Sequence, residues 1–132
     1  MQFATFHDLE DQSVFITGGG SGIGADLTKG FLSQGAKVTF VQRSNPEKFL
    51  AECEGKYKYE PTFIKCDVSH IEELKIALQT TAKEQGAVTV LVNNAANDTR
   101  HTLDEFTSQQ WDQTMEVHLK PHFFAAQDVV EG

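Results

Sequence analysis

The chain has 132 residues, of which 39% are hydrophobic and 23% are charged, and its formal net charge at pH 7 is −8. That length and apolar content fit one folded domain with one hydrophobic core, and they argue against disorder. The acidic balance repels the phosphates of nucleic acids and anionic lipids, so we expect neither as a partner. Without a signal peptide or a membrane-length apolar run, the sequence predicts a cytoplasmic protein.

Short apolar runs alternate along the chain with longer amphipathic segments, a pattern typical of alternating strands and helices. The run SVFIT at 13–17 is continuous, apolar and followed by glycines, as expected of a buried parallel strand. We predict further strands at 38–41, 62–66 and 88–92. We predict helices from about Ile23 to Gly35, at 46–53, from Ser69 to about Gln85, and from Thr107 or Ser108 onward.

Residues that favour helix ends mark several of these boundaries. Asn45 is predicted as an N-cap, with Pro46 at the first helical position. Ser69 is predicted to cap the third helix, with Glu72 three residues later completing a capping box. The last helix is predicted to carry an apolar face formed by Trp111, Met115, Leu119, Phe123 and Val130.

The order of the elements predicts an α/β fold with a parallel sheet and right-handed crossovers. No repeat, low-complexity tract or linker indicates a second domain. Four parallel strands and a final helix make an unfinished sheet, because parallel sheets seldom stop at a hydrophobic strand. If the strand at 88–92 lies at the edge, it exposes unpaired backbone groups.

The segment TGGGSGIG at 17–24 lies between the first strand and the first helix. A strand that turns into a helix within a few residues needs positive φ, and glycine provides it. The helix N-terminus offers N–H groups and a partial positive charge to a pyrophosphate. A side chain at Gly22 would keep the phosphates away from these groups, whereas the absence of a side chain at Gly24 lets the helix pack closely against the strand. The alternative is a plain strand-to-helix turn. A P-loop is excluded, because no Lys-Ser/Thr pair follows the glycines.

The spacing TGxxxGxG resembles that of the short-chain dehydrogenase/reductase superfamily, and later segments agree in order and position. Cys66-Asp67-Val68 ends the third strand and resembles the superfamily's adenine-contacting aspartate. The segment NNAA at 93–96 follows the fourth strand and resembles the NNAG element. Trp111-Asp112 and the segment VHLK at 117–120 resemble the start of the long interface helix.

The resemblance implies an NAD(P)-dependent oxidoreductase that moves a hydride between a nicotinamide and a carbonyl or alcohol carbon. It also implies a Rossmann-type, doubly wound parallel sheet, here truncated after four strands in the order 3-2-1-4, and a homo-oligomer as a possible assembly. Residues 1–132 would then be one incomplete NAD(P)-binding domain. The residues implied to bind the cofactor are Gly18, Gly20, Ser21, Gly22, Ile23, Gly24, Gln42, Arg43, Asp67, Val68, Asn94, Ala95 and Ala96.

The end of the second strand bears on the choice between NADP and NAD. An acidic residue there binds the ribose hydroxyls and disfavours a 2′-phosphate, but this chain has Gln42 followed by Arg43. A guanidinium can clamp a phosphate, so we prefer NADP over NAD. The alternative is that Arg43 is a solvated loop charge. Ser21, where many NADP-dependent members have a second basic residue, weakens the preference.

The superfamily's catalytic serine and YxxxK pair have no counterpart in these residues. Tyr57 and Tyr59 precede the third strand, far ahead of the catalytic segment. Proton transfer and ribose positioning would therefore be lost, and we expect no turnover from the isolated chain. His118 stands at the position of the usual catalytic asparagine, and Pro121 predicts a kink near 117–120. His118 and His122 lie four apart, but without a third ligand we expect no metal site.

The segments NDTRH at 97–101 and FFAAQ at 123–127 resemble sugar dehydrogenases of this superfamily. Polar side chains near the nicotinamide would suit a polyhydroxylated substrate; the alternative is an ordinary surface loop. Three functions stay open: the nucleotide-binding half of a reductase that acts once the missing half is supplied, a non-catalytic module that binds a nucleotide or another subunit, and a decayed product without function.

Overall fold

The computed structural model describes residues 4–95 and 102–131. Its four strands form one parallel sheet in the order β3-β2-β1-β4, which confirms the predicted fold class and strand order. The strands are β1 (Ser13–Thr17), β2 (Lys37–Gln42), β3 (Thr62–Lys65) and β4 (Val90–Asn93). The helices are α1 (Gly22–Ser33), α2 (Glu47–Cys53), α3 (Ile71–Gln85), α4 (Ser108–His118) and α5 (Lys120–Glu131), with 3-10 turns at His7–Leu9 and Leu103–Glu105.

Successive side chains of the central strands point to opposite faces of the sheet, and each face has its own core. Ile16 and Phe40 lie on the face covered by α1 and α2, whereas Phe15 and Val41 lie on the face covered by α3 and α5. The first core comprises Val14, Ile16, Leu32, Ala36, Val38, Phe40, Phe49 and Cys53. The second comprises Phe15, Val41, Cys66, Val68, Leu74, Ala77, Leu78 and Ala125.

Several predicted boundaries shift by one or two residues. The second helix begins at Glu47 rather than Pro46, although the Asn45 side chain still accepts a hydrogen bond from the Glu47 N–H at 3.0 Å. β3 ends at Lys65, before Cys66, and β4 begins at Val90 rather than residue 88. These are differences at element ends, where hydrogen-bonded pairing rather than the local apolar pattern decides the boundary.

The predicted capping box at the start of α3 is wrong. The helix begins at Ile71, its N-cap is His70, and no side chain caps it. The Ser69 hydroxyl instead donates to the Asp67 carboxylate at 2.7 Å. A charged acceptor forms a stronger hydrogen bond than a neutral one, and it lies within reach two residues away, so it competes successfully for this hydroxyl.

The predicted kink is confirmed, and it divides the last helix into α4 and α5. Leu119 lies between them with φ −122° and ψ −53°, outside helical geometry. Thr107 and Gln110 form a full capping box at the start of α4. The predicted apolar face is largely uncovered, with Trp111 55% and Val130 84% exposed. Leu119 and Phe123 are also exposed, and Met115 is half-buried.

β4 is an edge strand, because it pairs with β1 alone in the described sheet. All of its residues are only partly buried, so an apolar strand lies at an open edge, as the sequence predicts. None of the described helices is both long enough and apolar enough to cross a membrane.

Candidate nucleotide-binding site

The C-terminal ends of all four strands lie at one edge of the sheet, and the turn between β1 and α1 lies at its centre. Gly18 has φ +70°, a conformation that favours glycine. A Cβ at Gly24 would overlap the Gly18 carbonyl oxygen and lie 2.6 Å from the Asn94 side-chain nitrogen. The predicted role of Gly24 is therefore confirmed: α1 packs against the end of β1 at a distance that only glycine permits.

Gly22, the first residue of α1, has the opposite environment. A Cβ there would meet no atom within 4 Å, and the φ of Gly22 is +54°. Ser21, the N-cap, makes no side-chain capping bond, and it is exposed together with Ile23. Ile23, where the sequence predicts the first helix to begin, is 75% exposed. The mouth of α1 thus offers open space in front of helical N–H groups.

Thr28 supports the turn from inside α1 and was missed by the sequence analysis. Its buried hydroxyl lies 2.8 Å from the carbonyl oxygen of Gly19 and 2.9 Å from that of Gly24. A Cβ at Gly19 would lie 2.8 Å from the same hydroxyl. Thr28 follows Gly24 by four residues and therefore lies on the same face of the helix, which is the sequence signal that could have identified it.

Thr17 joins the turn to the segment after β4 and is the second residue that the sequence analysis missed. Its buried hydroxyl oxygen accepts the backbone N–H groups of Asn94 and Ala95, each at 2.9 Å. The Asn94 side chain in turn donates to the Gly18 carbonyl at 3.1 Å. The predicted residues of the first and fourth strand ends are thereby brought together. A hydroxyl residue closing an apolar buried strand was the available signal.

Gln42 and Arg43 lie at the end of β2 beside the turn. The Gln42 side-chain nitrogen donates to the Ser44 carbonyl at 3.0 Å and is 3.2 Å from the Ser44 hydroxyl. A Cβ at Gly20 would overlap the Gln42 side-chain oxygen, so this oxygen lies against the glycine turn. Arg43 is exposed, and its charge helps to lower the pKa of Asp67.

Asp67 follows β3, and neighbouring polar groups hold it in place. One oxygen of its carboxylate accepts the Ser69 N–H at 3.0 Å and the Ser69 hydroxyl at 2.7 Å. Burial raises the pKa of this carboxyl group, but the two hydrogen bonds from Ser69 and the charges of His70 and Arg43 outweigh burial and lower it. Val68 is buried, with 8% exposure.

Other predicted positions are not brought into this arrangement or cannot be described. Ala96 and residues 97–101 lie outside the described residues. His118 ends α4, and His122 lies in the first turn of α5. The two tyrosines lie at the end of the sheet opposite the glycine turn. The Tyr59 hydroxyl donates to Asp11 at 2.6 Å, and Tyr57 lines a cavity of about 470 Å³ together with Phe6.

Comparison with known proteins agrees with this geometry. The model of the short chain dehydrogenase family matches residues 12–132. The chain belongs to the short-chain dehydrogenase family. It is 42% identical over 127 residues to a probable galactose dehydrogenase of Rhizobium meliloti, covering 94% of this chain and 49% of that protein. It is 40% identical over 133 residues to the D-xylose 1-dehydrogenase of Caulobacter vibrioides, covering 100% of this chain and 52% of that enzyme.

Among solved structures, a short chain dehydrogenase from Burkholderia cenocepacia in complex with NADP superposes with a TM-score of 0.85 at 25% identity. The match covers 93% of this chain and 51% of that one. This short-chain dehydrogenase chain therefore spans about half the length of the curated relatives and the solved structure that it matches.

Replacing Thr17 with valine keeps the side-chain shape and removes the acceptor for two backbone N–H groups. We expect T17V to lower the free energy of unfolding by about 1–3 kcal/mol, because the Asn94 and Ala95 amides are left without a partner. Urea unfolding measures the loss, and faster hydrogen exchange at these two amides locates it. The exposed Thr102 provides the control: T102V should change stability by less than about 0.5 kcal/mol. Equal stabilities of the two variants would contradict this role of Thr17.

Proposed function

We propose that this chain binds the diphosphate of NAD(P) at the N-terminus of α1. The observation that carries the proposal is the contrast between two glycines of one turn. Gly24 has no room for a side chain because α1 meets β1 there, whereas Gly22 faces open space before the helix. Unpaired helical N–H groups and the helix dipole favour an anion in such a space. Family membership independently supports a dinucleotide as that anion.

The remaining contacts follow from the strand ends around the turn. Gly18, Gly20, Ser21, Ile23 and Gly24 would shape the phosphate site, and Gln42 and Arg43 would lie beside the adenosine ribose. Asp67 and Val68 would contact the adenine. Asn94 and Ala95 would lie along the path towards the nicotinamide, and Ala96, outside the described residues, is proposed as a contact from the sequence alone. Two contacts support this arrangement: the Gln42 side-chain oxygen lies against Gly20, and the Asn94 side chain donates a hydrogen bond to the Gly18 carbonyl.

We prefer NADP over NAD as the ligand. No carboxylate occupies the end of β2 to repel a 2′-phosphate, since the residue there is Gln42. The exposed Arg43 follows it and can form paired hydrogen bonds with a phosphate. The structural similarity to the Burkholderia cenocepacia dehydrogenase, which was solved in complex with NADP, is consistent with this ligand.

The whole protein would be a sugar dehydrogenase. When bound, the nicotinamide supplies hydride transfer to or from a carbonyl or alcohol carbon. Similarity to galactose and D-xylose dehydrogenases supports an aldose as the substrate. This chain would position the cofactor. Proton transfer would need the family's serine and its YxxxK pair from outside these 132 residues. Neither tyrosine of this chain is followed four positions later by lysine: Pro61 follows Tyr57, and Phe63 follows Tyr59.

Changing Gly22 to leucine tests the phosphate site. We expect the unaltered chain to bind NADP at micromolar to millimolar ligand, and G22L to weaken binding at least about tenfold, because the side chain fills the space proposed for phosphate. Calorimetric titration measures both. Gly55 is a matched control, since it also has positive φ and open space around a Cβ, but lies away from this turn. Equal affinity of G22L and G55L would show that the phosphates bind elsewhere.

Removing the Arg43 guanidinium tests the cofactor preference. We expect R43A to weaken NADP binding by about tenfold and to leave NAD binding nearly unchanged, since only NADP presents a 2′-phosphate. Parallel titrations with the two dinucleotides give the ratio of dissociation constants. The exposed Lys83, in the last turn of α3, serves as a charge control through K83A. A ratio that R43A and K83A change equally would mean that Arg43 acts only through net charge.

The 132 residues alone should bind without turnover. We expect no reduction of NADP by D-galactose or D-xylose in the presence of this chain, because the acid/base tyrosine and its lysine are absent from it. Spectrophotometric detection of NADPH measures the rate. Activity above background that disappears in G22L would contradict this expectation, because it would show catalysis dependent on the proposed site.

A further inference from the structure

Asp67 is held by groups from the residues that lead into α3. One of its carboxylate oxygens, Oδ1, accepts both the Ser69 N–H and the Ser69 hydroxyl. Its backbone N–H donates to the Glu73 carboxylate at 3.1 Å, and its backbone carbonyl accepts the His70 N–H at 3.0 Å. Both the main chain and the carboxylate of this residue are therefore fixed relative to α3.

The two bonds from Ser69 have a directional consequence. Both bonds converge on Oδ1, and among residues 4–95 and 102–131 no hydrogen bond is formed to the second oxygen, Oδ2, which therefore keeps its acceptor capacity toward them. The shorter of the two bonds uses the Ser69 hydroxyl, which does not cap α3: the N-cap of this helix is His70, and no side chain caps it. Ser69 thus orients an aspartate instead of stabilising the start of its helix.

Glu73 complements Ser69 from the first turn of α3. Its Oε2 accepts the Asp67 N–H, while its Oε1 lies 3.5 Å from the His70 imidazole. Its neighbour Glu72 has the same charge and is exposed on the same turn. Of these two glutamates, Glu73 is the one whose side chain is hydrogen-bonded to the backbone of Asp67. Comparing the two therefore distinguishes this specific contact from a general effect of negative charge.

We propose that Ser69 and Glu73 are positioning residues that aim the free carboxylate oxygen of Asp67 at the exocyclic amino group of the cofactor's adenine, and so set the preference for adenine over other purines. This inference rests on the proposed function, in which Asp67 contacts the adenine. An amino group donates to a carboxylate, whereas the oxo group of hypoxanthine presents an acceptor and opposes it. The orientation of Asp67 therefore decides how strongly the two bases are distinguished.

The test compares two ligands that differ only at the base. Each variant is titrated with NADP and with its hypoxanthine analogue, in which the 6-amino group is replaced by oxo. We expect the unaltered chain to prefer adenine by roughly tenfold, as a hydrogen bond to a charged acceptor allows. S69A should reduce that preference to roughly threefold or less, and S69T, which keeps the hydroxyl, should restore it. E73A should lower the preference and E72A should not. Circular dichroism confirms the fold of each variant.

Acidification adds a readout that a purely structural role would not change. Loss of the Ser69 hydroxyl removes a hydrogen bond that favours ionised Asp67, so the pKa of this carboxyl should rise in S69A. As the pH is lowered, S69A should therefore lose its preference for adenine at a higher pH than the unaltered chain does.

The possible outcomes distinguish failure of the positioning role from failure of the proposed dinucleotide binding. Equal weakening of both ligands in S69A would overturn the positioning role while dinucleotide binding stands. Equal binding of the two ligands by the unaltered chain would also overturn it, since no adenine contact would exist to be positioned. Failure of the chain to bind either ligand would overturn the proposed function as well. If S69A does not fold, the comparison of E73A with E72A decides the question, and equal preferences there would reject the proposal.

Discussion

The contact of Gly24 with the carbonyl of Gly18 brings α1 against the end of β1, and the arrangement of the site depends on it. No residue with a Cβ fits there, because the Cβ would overlap the Gly18 oxygen and crowd the Asn94 amide. The same approach places the Thr28 hydroxyl between the carbonyls of Gly19 and Gly24. Moving the helix outward would separate Gly24 from the Gly18 carbonyl and the Thr28 hydroxyl from the Gly19 carbonyl. It would also displace the helix N-terminus from the centre of the sheet edge.

Thr17 extends this arrangement across the sheet. Its hydroxyl accepts two N–H groups from the segment after β4, so the position of that segment depends on the end of β1. A buried backbone N–H without a partner is costly, which makes this hydroxyl a strong constraint on a loop that regular pairing no longer holds. The predicted cofactor contacts at Asn94 and Ala95 thereby become neighbours of the glycine turn.

The surface formed by α4, α5 and β4 has a different character. Trp111, Leu119 and Phe123 are each at least half exposed, and β4 has a neighbour on one side only within the described sheet. An apolar edge strand and exposed large apolar side chains are features that folded proteins usually cover. The chain also spans about half the length of the curated relatives that it matches.

The sequence by itself determined the alternation of elements, the strand order implied by the family resemblance, the glycine turn and the break before Pro121. These features depend on local properties: apolar periodicity, the torsional freedom of glycine and the missing N–H of proline. The tertiary structure decided what depends on neighbours distant in sequence. Thr17 meets Asn94 across 77 positions, and Gln42 meets Gly20 across two adjacent strands. The Ser69 hydroxyl is a different case, because its acceptor Asp67 is only two residues away. There the sequence offered two local partners, a helix cap and a carboxylate, and only the structure shows which one the hydroxyl bonds.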